Sequence, residues 1–200
     1  MLTVIVLAAG MSRRMGPANK LLLPFRGRTI LETTVDQILA SGAEEILVVL
    51  GHESEQILPF LENFPVKTTF NPDFAVGMTT SIQAGVMAAS ADSDGFMICL
   101  SDMPLIEAAT YRSLISVFFE KKKTNDAVIV QPVFESIPGN PVIFSAAYAH
   151  EILALTFNEG CKPIVQNHRE QVHRVVVSSN AILMDADTEA AYLALLNDNR

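Results

Sequence analysis

The sequence predicts an α/β protein built on a mostly parallel, doubly wound sheet, and three observations carry that expectation. Leu2 to Ala8 is a continuous run rich in β-branched residues, the pattern of a strand buried on both faces. Strand-like runs then alternate with helical periodicity through residue 125, an order that implies right-handed crossovers and parallel pairing. The chain has 200 residues, half of them apolar and 18% charged, which suits a single domain over 1–200 with an ordinary buried core.

The elements follow in order. Thr29 and Glu32 have capping-box spacing, the apolar positions after them repeat at helical spacing to Leu39, and Gly42 is a natural stop. Glu45 to Leu50 is a second buried strand. Ser54 to Leu61 reads as a short helix interrupted by Pro59, and Val66 to Phe70 as a third strand. A helix opens at Gly77-Met-Thr-Thr-Ser81 and runs to about Ser90. Phe96 to Leu100 is a fourth strand and Ala108 to Lys121 a helix with a basic end. Beyond residue 125 the pattern becomes strand-rich: Ala127 to Val133, Val142 to Phe144 and Val172 to Val177, with a turn signal at Ile137-Pro-Gly-Asn-Pro141. This part is expected to add a small β-containing lobe to the same sheet. A last helix, Thr188 to Leu196, takes Asp187 or Thr188 as its cap.

Composition excludes several classes of function. The net charge of −8 argues against nucleic acid as a partner, because phosphate-backbone binding needs a basic face. Cys99 and Cys161 make neither a disulfide framework nor a zinc spacing, and a reduced, cytoplasmic setting fits them. The apolar run at the N-terminus is short and leads into a Gly/Ser/Arg loop, unlike a targeting segment. No stretch approaches the ~20 apolar residues needed to span a bilayer. His52, His150, His168 and His173 lack metal spacing or a nucleophile partner, so they read as surface or packing residues.

Ligands of open α/β sheets bind outside the carboxyl ends of the strands. Three informative segments fall there: residues 8–20, 77–81 and 101–104. Small residues Ala8, Ala9 and Gly10 admit close approach of a ligand, and backbone N–H groups in such a loop can cradle phosphate. Arg13, Arg14 and Lys20 concentrate positive charge in an acidic chain. The spacing is neither that of a P-loop nor of a dinucleotide fingerprint. Asp102, at a strand's end, either holds Mg²⁺ against phosphate oxygens or caps a turn before Pro104. Thr79, Thr80 and Ser81 either contact a base or ribose or simply cap a helix. Cys99, within an apolar strand, reads as an inert core thiol.

Leu7-Ala-Ala-Gly10, Ser12, Arg14-Met-Gly16 and Lys20-Leu-Leu resemble the signature of the MobA-like NTP transferases, especially molybdenum cofactor cytidylyltransferases. The likeness continues through Asn71-Pro-Asp-Phe, Gly77-Met-Thr-Thr-Ser-Ile82, Asp102-Met-Pro104, Gly139-Asn-Pro-Val142 and Met184-Asp-Ala-Asp-Thr188. The resemblance implies a Rossmann-like nucleotidyltransferase fold and Mg²⁺-dependent transfer of CMP from CTP to a molybdopterin-type acceptor, with pyrophosphate released. It implies nucleotide binding by Leu7, Ala8, Ala9, Gly10, Ser12, Arg14, Lys20, Thr80, Ser81 and Asp102. Catalytic roles fall to Arg14, Lys20 and Asp102, and metal ligation to Asp102 with Asp187, the latter open to the alternative of a helix cap. Ala9, where guanylyl-transferring relatives tend to carry Gly, and Leu22-Leu-Pro24 favour CTP over GTP.

Two features depart from the family pattern. Gly160-Cys-Lys-Pro163 stands where many relatives have Gly-Asp before a basic residue and Gly, and the step from Gly16 to Lys20 is one residue longer than in many members. Two alternatives stay open: a guanylyl- or other nucleotidyltransferase acting on another phosphorylated acceptor, or a non-catalytic protein that carries the molybdenum cofactor. Transient contact with a client molybdoenzyme is compatible with each reading that involves the cofactor.

Overall fold

The computed structural model describes residues 1–12, 18–156 and 159–198. Arg13, Arg14 and Gly16, singled out in the sequence, lie outside the described residues.

The N-terminal half is a regular alternation. It comprises β1 (Leu2–Ala8), a small hairpin of β2 (Pro24–Phe25) and β3 (Arg28–Thr29), α1 (Ile30–Leu39), β4 (Glu45–Leu50), α2 (Ser54–Leu61), β5 (Lys67–Phe70), α3 (Met78–Ala88), β6 (Gly95–Leu100) and α4 (Ala108–Lys122). The C-terminal half adds β7 (Ile129–Phe134), β8 (Ile137–Pro138), β9 (Val142–Ser145), α5 (Ala149–Leu153), α6 (Lys162–Asn167), β10 (Val172–Val176) and α7 (Glu189–Asn197).

One sheet runs in the order β10-β7-β9-β6-β1-β4-β5, with β8 paired to β7. β5, β4, β1 and β6 are mutually parallel. β9 is inserted antiparallel to both β6 and β7, and β10 pairs parallel with β7 at the far edge. The strand-rich part after residue 125 therefore continues the main sheet.

Alternate side chains of β1 feed two cores. Val4, Val6 and Ala8 pack among residues of α1, α2 and α4, while Ile5 packs with Val49, Ile82, Val86 and Ile164. Burial on both faces explains why β1 and β4 read as unbroken apolar runs. Each fully buried Val or Ile contributes about 1.5–3 kcal/mol of hydrophobic stabilisation, set against ordering entropy. No helix among the described residues is long and apolar enough to cross a membrane.

Local rules set the helix ends. Thr29 and Glu32 form a reciprocal capping box at α1: Glu32 N–H donates to Thr29 Oγ1 at 3.1 Å, and Thr29 N–H donates to Glu32 Oε2 at 2.8 Å. Of the two candidate caps for α7 it is Thr188 that serves, its hydroxyl accepting from Ala191 N–H at 3.1 Å. α2 runs uninterrupted through Pro59, which lies on the exposed side, where water can satisfy the carbonyl left without an N–H partner. The turn expected at 137–141 begins with the short strand β8.

Candidate active site

The chain leaves β1 for β4 and β5 on one side, then returns to place β6 on β1's other flank. The loops following β1 and β6 thus diverge at a topological switch point, where open α/β sheets bind ligands. A cavity of about 410 Å³ opens there. Its walls are the loop 9–12 with Lys20, the loop 74–78 leading into α3, the end of β6 through Asp102, and Asp185 with Asp187.

Hydrogen bonds fix each wall. Ser101 Oγ donates to the Leu7 carbonyl at 2.6 Å, joining the ends of β6 and β1. His52 N–H donates to the Ala9 carbonyl at 3.3 Å. Gly51 sits where the first and second walls meet: a Cβ there would lie 2.6 Å from Phe74 Cβ and 2.8 Å from Ala9 Cβ, so only glycine allows that approach. Asn71 is the hub of the second wall. Its amide nitrogen donates to Thr80 Oγ1 at 2.9 Å and Ser81 Oγ at 3.0 Å, and its oxygen accepts from Asp73 N–H at 2.9 Å.

The chemistry concentrates opposite that wall. Lys20 opens a single 3-10 turn, Lys20–Leu22, capped by Asn19, whose side-chain oxygen accepts from Leu21 N–H at 3.1 Å. Its ammonium donates to Asp102 Oδ2 and, at 2.6 Å, to Asp187 Oδ1. Asp185 completes an acidic triad: one oxygen from each of Asp102, Asp185 and Asp187 lies within 4.8 Å of the others. Asp187 N–H donates to Asp185 Oδ1 at 3.1 Å.

Residues 185–187 reach this point because Ala186 N–H donates to the Asp102 carbonyl at 3.1 Å. Upstream, Asn140 N–H donates to the Ile182 carbonyl at 3.1 Å, and a Cβ on Gly139 would lie 2.4 Å from that same carbonyl oxygen. The Gly139-Asn-Pro motif is thus the seat on which the segment carrying the two aspartates rests.

Among the described residues, the Lys20 ammonium faces three carboxylates. Burial lowers the Lys20 pKa, but Asp102 and then Asp187 outweigh it, so the net shift is upward and the ammonium stays charged. Burial, then Asp187 and Asp102, push the Asp185 carboxyl above its ordinary value.

The expected site residues mostly converge. Leu7, Ala9, Gly10, Ser12, Lys20, Ser81, Asp102 and Asp187 all line the cavity. Ala8 is absent from the lining and packs into the core beneath it. Thr80 is also outside the lining, its single hydroxyl proton shared between the carbonyls of Asp73 at 3.0 Å and Gly77 at 2.9 Å. Asp187 does not cap α7. Asp185, which the sequence offers as a further carboxylate beside Asp187, also lines the cavity, as do Phe74, Val76 and Met78, which carry no assigned role in the sequence. No local signal in the sequence marks that apolar wall.

The sheet order, the small-residue loop and the acidic clamp at the switch point together define a Rossmann-like fold of the nucleotidyltransferase type. Residues 4–183 match the model of the MobA-like NTP transferase domain. The chain belongs to that family. It is 27% identical over 190 residues to the molybdenum cofactor cytidylyltransferase of Escherichia coli (strain K12), covering 92% of this chain and 90% of that protein. Partial matches at 33% identity reach nicotine blue oxidoreductase of Paenarthrobacter nicotinovorans, over 56% of this chain and 55% of that protein, and a probable molybdenum cofactor guanylyltransferase of Methanosarcina acetivorans, over 64% and 56%. The chain thus spans little more than half the length of those two relatives. Among solved structures, Rv0371c of Mycobacterium tuberculosis H37Rv superposes with a TM-score of 0.84 at 25% identity, over 98% of this chain and 97% of that one. A manganese complex of Rv0371c gives 0.83 at 24% identity, over 98% of each chain.

Proposed function

We propose that this protein transfers CMP from CTP to the terminal phosphate of a molybdopterin-type acceptor, with release of pyrophosphate. The observation that carries the reading is the convergence of Lys20 with Asp102 and Asp187 on one wall of a cavity whose other walls are small-residue backbone and an apolar loop. That is the equipment for holding a triphosphate and a base while another phosphate attacks.

The donor set is all oxygen and acidic, which fits a hard divalent cation such as Mg²⁺. Asp102 and Asp187 would hold it, with Asp185 as a third acidic neighbour. Bound there, Mg²⁺ supplies charge neutralisation for the triphosphate and the departing pyrophosphate.

This chain's residues do the remaining work by positioning. An oxygen of the acceptor's phosphate forms the new bond to the α-phosphorus of CTP. The bond from that phosphorus to the α–β bridging oxygen breaks, and pyrophosphate takes its electron pair. No side chain acts as nucleophile, because the acceptor is already an anion. Lys20 binds the β- and γ-phosphates as a compact point charge, Arg14 is assigned to the same phosphates from its place in the motif, and the 9–12 loop offers backbone N–H groups. Ala9 narrows the base pocket, which favours a pyrimidine. The activity is cytoplasmic on this reading, and the product passes to a client molybdoenzyme by transient contact.

The test is pyrophosphate release with CTP, GTP, ATP and UTP, each with Mg²⁺ and molybdopterin-type acceptor. Acceptor-dependent release that is fastest with CTP supports the proposal. Release fastest with GTP moves the donor assignment. No release with any donor, with cofactor bound but unaltered, supports a carrier role instead.

A further inference from the structure

The position of Lys20 has a consequence for how the site loads. Its ammonium contacts oxygen atoms of both Asp102 and Asp187, the two carboxylates assigned above to the divalent cation. The side chains of Lys20 and Asp102 are only 14% and 8% exposed, so water screens their attraction weakly. An ammonium and a metal ion cannot share these oxygens at bonding distance without strong mutual repulsion. At the two oxygens that Lys20 contacts, one cation excludes the other.

The backbone under Lys20 is not free to retreat. Asn19 caps its turn, Leu22 N–H donates to the Asn19 carbonyl at 3.0 Å, and Lys20 N–H donates to Ser12 Oγ at 3.4 Å. Only the four-carbon stem can swing, and it borders the cavity. A triphosphate in that cavity offers the ammonium a denser anionic partner than two carboxylates do.

We propose that Lys20 is a built-in competitor for the metal: it neutralises the Asp102–Asp187 clamp until a nucleoside triphosphate draws it away, so metal and nucleotide load together. The inference rests on the clamp reading above. By linkage, nucleotide raises metal affinity and metal raises nucleotide affinity by the same factor. The device keeps the aspartates from holding a metal that has no triphosphate to act on.

The opposite possibility is that Lys20 is a fixed scaffold that orients the carboxylates for metal. The two differ in sign. Mn²⁺ binding to the full chain without nucleotide, followed by the electron paramagnetic resonance signal of free Mn²⁺, separates them. As a competitor, Lys20→Met binds Mn²⁺ about tenfold or more tightly than the wild type, since one local positive charge has gone. Lys20→Arg, which keeps the charge, binds as weakly as the wild type. Asp102→Asn in the Lys20→Met background abolishes the gain, which places it at this clamp. A non-hydrolysable CTP analogue tightens Mn²⁺ binding by a larger factor in the wild type than in Lys20→Met. Melting curves accompany each variant, and Lys20→Gln replaces Lys20→Met if the latter is unfolded.

Equal or weaker Mn²⁺ binding by the folded neutral variants overturns the competition while leaving the clamp intact. Absence of Mn²⁺ binding in every variant, with and without the analogue, overturns the clamp and the competition together.

Discussion

Asp102 and Ala186 are joined backbone to backbone, the N–H of Ala186 donating to the Asp102 carbonyl at 3.1 Å. Through that bond the segment before the last helix brings Asp185 and Asp187 beside a carboxylate from the far end of β6. Two of the three carboxylates in the acidic cluster therefore depend on how residues 180–187 dock.

Gly139→Ala should damage the site from a distance. The new methyl would lie 2.4 Å from the Ile182 carbonyl oxygen, so the backbone of one segment must move. Displacing Ile182 shifts the aspartates that follow it. The expected outcome is destabilisation of about 1–3 kcal/mol, the usual range for overpacking, with weaker Mn²⁺ binding even in the fraction that remains folded. Calorimetric melting and a metal titration below the melting point check this. Unchanged metal affinity would show that 180–187 is held by its other contacts.

Asp187 and Thr188 separate chemistry from capping. Because Thr188 accepts from Ala191 N–H, Thr188→Ala should cost about 1 kcal/mol of stability and little turnover. Asp187→Asn should leave the melting temperature nearly unchanged and reduce turnover on the order of 100-fold, comparably to Asp102→Asn, by removing a carboxylate from the clamp. Reversal of the two phenotypes would remove Asp187 from the site.

These two residues also mark how far the sequence could be read. β1, β4 and α1 were legible because burial on two faces and a capping box each leave a local signature. The hairpin β2–β3 and the helices α5 and α6 were not, being two to six residues long and set by tertiary packing. α6, for example, is anchored by Ile164 in the second core. Lys20, Asp102 and Asp187 were legible through motif and position. Thr80 lies outside the cavity lining: a hydroxyl at a helix start serves a loop as readily as a ligand, and nothing local distinguishes the two uses. Asp102 and Asp187 were expected to form a pair, but the placement of Asp185 beside them depends on the distant Gly139–Ile182 contact.

Asn71→Ala should act on donor binding. The side chain donates to Thr80 and Ser81 and accepts from Asp73, and Asn71 is almost fully buried. Its loss leaves the buried Ser81 hydroxyl and the half-buried Thr80 hydroxyl short of a donor, a cost of about 1–3 kcal/mol, and loosens the 74–78 wall. The KM for the nucleotide should rise more than kcat falls. An equal loss in kcat with unchanged KM would place the wall's role in the transition state.

The thiols should be inert at working pH. Burial pushes Cys161 up to about 12 and Cys99 higher still, so both remain neutral thiols across neutral pH, and the thiolate is the reactive form. Alkylation by iodoacetamide should be slow at pH 8 and accelerate on unfolding in guanidinium. Rapid modification of Cys161 in the native protein would show that the 159–161 segment opens.

Ala9 and Phe74 give the sharpest test of donor choice. Ala9 is 3% exposed and lines the cavity beside Phe74, with Gly51 filling the gap between them. On the proposed reading, Ala9→Gly removes one methyl from the base side of the pocket without changing charge. A methyl-sized difference in an apolar pocket is worth about 1–3 kcal/mol of discrimination, so the CTP preference in kcat/KM should fall by roughly 10-fold or more, chiefly through faster use of GTP. Because Ala9→Gly also frees the backbone of the phosphate loop, CTP turnover should fall slightly as well, and the ratio of the two donors is the quantity that decides. Gly51→Ala provides the control: its added methyl meets Ala9 and Phe74 from behind and should disturb both donors together. A CTP-to-GTP ratio unchanged by Ala9→Gly would mean that the base is read elsewhere in the cavity, with the 74–78 wall and Ser81 as the remaining candidates.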